Sequence, residues 1–129
     1  MRNLARRDSS TPEVQFVSLG LVSPYALEEW IRRVWVIVDD PQTAEYVRAP
    51  AFLLQCGRFE GDCDDAATLA ASILHAQMIP SQFVAIRRAG EMDFSHVFVR
   101  VPGYQLDIDP IVPREHMPIS YQAEMVLNV

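Results

Sequence analysis

The stretch from Asp62 to Pro80 constrains this chain more than any other. Asp62 can cap the exposed amides of a helix, and Asp64 and Asp65 in the first turn suit the positive end of a helix dipole. The spacing predicts a helix from about Cys63 to Met78. Ala66, Ala67, Ala70 and Ala71 give it a small-residue surface that allows close approach, and Leu69, Ile73 and Leu74 are larger anchors. Such a helix belongs at the centre of a molecule. Pro80 stops it, and Phe83-Val84-Ala85-Ile86 then reads as a strand leaving the core. A cysteine therefore stands at the mouth of a buried helix.

With 129 residues, the chain fits one domain, 1-129, in which a core can be buried. Half of its residues are hydrophobic and 22% are charged, the composition of an ordinary globular domain. The net charge of -6 argues against a nucleic-acid surface, since phosphate neutralisation needs clustered Lys and Arg. The longest apolar run, Val34 to Val38, is far short of the roughly 20 residues of a membrane span. The basic start, Met1 to Arg7, is not followed by the apolar core of an export signal, so a cytoplasmic location is expected. Two cysteines, Cys56 and Cys63, are too few for a disulfide framework but leave one bridge open.

Residues 1 to 12 are expected to be a flexible arm, followed by a short extended segment at Val14-Gln15-Phe16-Val17. Ser23-Pro24 opens a helix, with Ser as N-cap and Pro at the first position. Leu27, Trp30, Ile31, Val34 and Val38 continue it as a core stripe, and Glu28/Arg32 and Glu29/Arg33 pair on wetter faces. Asp39-Asp40-Pro41 ends it. A short helix over Thr43 to Val47 follows, Phe52-Leu53-Leu54 packs under the next element, and Gly57 to Gly61 is a loop into the cysteine. At the other end, Tyr121 to Val129 is an amphiphilic tail suited to an edge strand or to a partner, and oligomeric state stays open.

Pro102-Gly103 permits an inference about register. If these residues form the tip of a hairpin, Val101 faces Tyr104, Val99 faces Leu106, Val97 faces Ile108 and His96 faces Asp109. Alternation then puts Val97, Val99, Val101, Tyr104, Leu106 and Ile108 on one face, and His96, Phe98, Asp107 and Asp109 on the other. A Pro-Gly tip favours a type II turn, which suits hairpin twist poorly, so a bulge would bring Asp107 into competition with Asp109.

Cysteine, histidine and aspartate together suit nucleophilic catalysis. Cys63 attacks as thiolate, helped by a helix N-terminus and a neighbouring imidazolium. His96 is the base, and Asp109 orients it. The Cys63 N-H is one oxyanion donor, while Gln55 and Gln82 are chemically suitable for a second. Asp62, Asp64 and Asp65 would oppose a thiolate unless they cap the helix and point away. Each residue also has a structural alternative: a small buried cysteine, a strand histidine and a turn-forming Asp before Pro. Cys56, Cys63, His75, His96 and His116 lack the spacing of zinc ligands, and the aspartates lack the other positions of a calcium loop. No cofactor or metal is expected.

Gly61-Asp62-Cys63-Asp64-Asp65-Ala66-Ala67, Ile79-Pro80, Ser95-His96-Val97-Phe98-Val99 and Leu106-Asp107-Ile108-Asp109-Pro110 occur in this order. Over residues 24 to 112 the chain resembles the transglutaminase-like cysteine-enzyme superfamily, especially its compact bacterial and phage members. The resemblance implies an α+β, papain-like core with a Cys-bearing helix on an antiparallel sheet that carries His and Asp. It maps the nucleophile to Cys63, the base to His96 and the third residue to Asp109, and implies a peptide or protein amide substrate. Two positions depart from the pattern: Met78 stands where a Gly is usual, and Phe98 where a Trp is usual. The expected function is thiol-dependent acyl transfer, by amidase, peptidase or transglutaminase-like chemistry. The alternative is a catalytically silent binding or assembly module, phage or prophage related, that retains the fold.

Overall fold

In the computed structural model, residues 1–39, 47–117 and 120–129 are described. Among them the chain is α+β, with five α-helices, a four-stranded antiparallel sheet and a two-stranded parallel one. The elements in chain order are α1 (Arg2–Asp8), α2 (Pro12–Gly20), α3 (Pro24–Val34), β1 (Val36–Ile37), α4 (Pro50–Cys56), β2 (Glu60–Gly61) and α5 (Cys63–Ala76). They are followed by β3 (Gln82–Arg87), β4 (His96–Val101), β5 (Leu106–Ile108) and β6 (Ala123–Asn128).

The central helix is α5, in which every residue from Asp65 to Leu74 is buried. Its larger side chains, Leu69, Ile73 and Leu74, join Phe83, Val97, Val99, Val101 and Ile108 of the large sheet in one core. The helix ends at Ala76, two residues short of the expected Met78. Met78 N-H bonds His75 C=O, Ile79 N-H bonds Leu74 C=O, and Met78 itself takes the left-handed conformation at φ 60. This double closure of the last turn is usually given to glycine.

The N-terminal region differs from its expectation. Residues 2 to 8 are not an arm but α1, and Val14 to Val17 lie within α2 rather than an extended segment. Ala5 and Val14 are fully buried and belong to the core, so burial of a few apolar residues overrides a polar local sequence. Asp8 is also buried, and its Oδ2 accepts the Ala51 N-H at 3.1 Å, so α1 caps α4 from 43 residues away.

α3 begins as expected, with Ser23 Oγ accepting the Ala26 N-H at 3.2 Å and Pro24 in the first turn. It stops at Val34 instead of running to Val38. Val36 and Ile37 pair in parallel with Glu60 and Gly61, so this β-branched run is a strand. Of the expected Thr43 to Val47 helix, Val47 has no regular structure and the rest lies outside the described residues, as do Asp40 and Pro41. The helix nearby is α4, in which Leu53 is buried and Phe52 is exposed.

The large sheet has the order β5-β4-β3-β6, and the C-terminal tail forms its edge strand β6. The β4-β5 register is Val99↔Ile108, Arg100↔Asp107 and Val101↔Leu106, two residues away from the expected pairing. Pro102–Tyr104 form a turn of 3-10 helix and Gln105 closes it at φ 49, a four-residue connection instead of a two-residue tip. Tyr104 consequently leaves the apolar face, and its C=O accepts the Tyr25 hydroxyl. A shift of two keeps every remaining side chain on its face, because strand periodicity is two. Among the described residues, no helix is long and apolar enough to cross a membrane.

Candidate active site

Cys63 is the first residue of α5, and its backbone is set from both sides. Upstream, the β1-β2 ladder and the Trp35 indole, which donates to the Gly61 C=O at 3.3 Å, hold the chain entering the helix. Downstream, the Asp62 carboxylate accepts the Asp64 and Asp65 N-H groups, and the Asp65 carboxylate returns to the Asp62 N-H at 3.0 Å. This reciprocal cap satisfies helix amides that have no partner within the helix. Asp65 is fully buried and is paired with Arg48, whose N-H and guanidinium each reach it at 2.6 Å. Gly61 explains the start of the motif: a Cβ there would stand 2.2 Å from Asp65 Oδ2.

His96 opens β4, beside Ile86 of β3. Alternation puts it on the face of Phe98, and the two rings are 6.3 Å apart. Asp109 follows the last paired residue of β5. Continuing the observed register by one residue places Asp109 opposite Phe98, a diagonal neighbour of His96 on the same face. His96 Nε2 and Asp109 Oδ2 are 2.6 Å apart, both side chains are buried, and Asp109 Oδ1 accepts the Ile111 N-H at 3.2 Å.

Cys63, at the start of α5, is close enough to His96 to favour its protonated form. Burial pulls the proton affinity of His96 down, but the Asp109 bond and the Cys63 thiol outweigh it, raising the pKa from 6.5 to about 9. The structure therefore brings Cys63, His96 and Asp109 together. It keeps Asp107 away, since Asp107 accepts Arg100 Nε at 3.0 Å directly across the strands.

Other candidates lie elsewhere. Gln55 donates to Glu13 and Gln82 to Asn128, both on the surface, and Gln82 pairs with Arg100 at the opposite end of β4 from His96. Cys56 is exposed, and both cysteines are free thiols. His75 is exposed in the last turn of α5 and His116 in the 3-10 turn Arg114–His116, so neither joins His96. Among the described residues, no group of three or more His, Cys, Asp and Glu side chains is arranged to hold a metal. Asp62 and Asp65 cap the helix, but Asp64 does not turn away: its Oδ1 is 4.0 Å from Cys63 Sγ.

Sequence alone missed Arg48, whose partner is 17 positions away, and the burial and long-range partners of the expected Glu28/Arg32 pair. Glu28 is buried rather than on a wetter face, and bonds both Arg32 and Arg114, while Glu29 bonds Arg114. Only the i,i+4 spacing of Glu28 and Arg32 signalled any of this. No family model, no curated protein and no solved structure matches the chain.

Proposed function

We propose that this protein is a thiol-dependent acyl-transfer enzyme with a papain-like, transglutaminase-like core, acting on peptide or side-chain amides. The observation that carries the reading is the Asp109-His96 contact of 2.6 Å, with Cys63 at the start of α5 near enough to favour the protonated ring. An imidazole beside a thiol serves as the base that takes its proton, which makes the sulfur a nucleophile.

Cys63 Sγ attacks the amide carbonyl carbon, forming the C-S bond as the carbonyl becomes an oxyanion. The Cys63 N-H, in the first turn of α5 and without an acceptor inside the helix, is the donor available to that charge. The C-N bond then breaks, and the amine leaves with the proton carried by His96. Asp109 holds the ring in the orientation that both transfers need. Water, or a second amine, gives a proton to His96 and attacks the thioester, and the C-S bond breaks to release the acid or new amide.

Alkylation of Cys63 as a function of pH tests this, with Cys56 as an ordinary exposed thiol in the same molecule. Near neutral pH, Cys63 reacts faster than Cys56, and His96→Ala removes the advantage, a loss of about tenfold or more. Equal behaviour of Cys63 in both proteins overturns the proposal. Asp64, 4.0 Å from the sulfur, favours a second reading, a catalytically silent binding or assembly module. A Cys63→Ala protein that keeps every biological role supports that alternative.

A further inference from the structure

We propose that Arg32, with Glu28, is the positioning residue that sets the Asp109-His96 pair, an inference that rests on the function above for its catalytic meaning. Asp109 lies one residue beyond the last ladder pair, Val99↔Ile108, so sheet hydrogen bonds do not fix it. The segment after it is irregular up to the 3-10 turn Arg114–His116. Something outside the sheet must hold that segment.

The Glu28-Arg32 pair on α3 does so at several points. Arg32 Nη1 donates to the Val112 C=O at 2.7 Å, its Nη2 reaches Met117 Sδ at 3.0 Å, and its Nε bonds Glu28 Oε1. The other oxygen of Glu28 accepts Arg114 Nη2 at 2.6 Å. Both members of the pair therefore grip residues 112 to 117. Within the same segment, the Ile111 N-H donates to Asp109 Oδ1 while Asp109 Oδ2 holds His96. The path from α3 to the ring is thus Arg32, Val112 carbonyl, Ile111 amide, Asp109, His96.

Burial sharpens the point. Glu28 is 8% exposed, and a pair taken out of water in this way returns little stability over a well-packed apolar pair. Its multiple donors instead supply geometry, because a guanidinium fork fixes several acceptors at once. A Lys offers one charge centre and cannot reproduce all three contacts.

The test reads the His96 ring directly by NMR titration, alongside Cys63 alkylation, in Arg32→Met, Arg32→Lys and Asp109→Asn. The charged or titratable groups acting on His96 are Asp109 and Cys63, with Glu91 of the β3-β4 connection also within its field. Arg32→Met is expected to lower the His96 midpoint by about one unit or more and slow Cys63 alkylation about tenfold, in the direction of Asp109→Asn. Arg32→Lys should fall between Arg32→Met and wild type. A wild-type midpoint and alkylation rate in folded Arg32→Met overturn the proposal. If Arg32→Met does not fold, the same result in Arg32→Lys overturns it. A lowered midpoint with a Cys63 that is unreactive even in wild type leaves the positioning role standing and removes the acyl-transfer function.

Discussion

His96 Nε2 meets Asp109 Oδ2 at 2.6 Å although the strand register places Asp109 opposite Phe98. The pair spans a diagonal of the sheet, which long side chains on one face can bridge. Its buried setting makes the protonation of His96 a property of the folded state.

Stability should therefore depend on His96. Its pKa rises from 6.5 to about 9 on folding, against burial and in favour of the Asp109 bond and Cys63 thiol, so the folded chain binds the proton more tightly. The resulting stabilisation is complete below about pH 6.5 and is lost as pH rises through about 9. The urea midpoint should fall across that window, and Asp109→Asn should flatten the slope. An equal slope in both proteins contradicts the assignment.

Asp107 and Asp109 should separate cleanly. Asp107 serves Arg100, so Asp107→Asn should leave the His96 titration within a few tenths of a unit, whereas Asp109→Asn should lower it by about one unit or more. NMR of the ring distinguishes them. A shift caused by Asp107→Asn alone would refute the pairing.

Gly61→Ala should be strongly destabilising. The backbone has φ +152 and the added Cβ would lie 2.2 Å from the carboxylate of Asp65, which Arg48 and the Asp62 N-H hold in place. Strain and overpacking together cost about 2–5 kcal/mol. Chemical denaturation measures this, and a loss below about 0.5 kcal/mol would mean that Asp65 can move.

Met78→Gly should stabilise the protein. Met78 holds a left-handed conformation at φ 60 and its side chain is 90% exposed, so glycine removes strain and loses little packing. The gain is about 1 kcal/mol, a few degrees in melting temperature. A lower melting temperature would show that the exposed side chain contributes packing after all.

The extent of α5 could be read from the chain almost in full, because its cap, its acidic first turn and its stop are local signals within a few residues of one another. The start of α3 was legible for the same reason. The arm that became α1 and the segment that became α2 were not, since Ala5, Asp8 and Val14 acquire their roles only from elements far along the chain. The β4-β5 pairing shows both outcomes together: residue parity along a strand survived a slip of two positions, while the turn that caused the slip was invisible in Pro102-Gly103.

By itself, then, the order of residues determined the α5 helix, the strands Phe83 to Ile86 and Val97 to Val101, and the chemistry available at Cys63, His96 and Asp109, because propensity, capping and alternation act over short distances. Tertiary structure alone decided that Asp109 and not Asp107 meets His96, that Arg48 closes on Asp65, and that Arg32 grips the segment behind Asp109. Those contacts join positions between 13 and 80 residues apart, where only packing and loop geometry determine which groups meet.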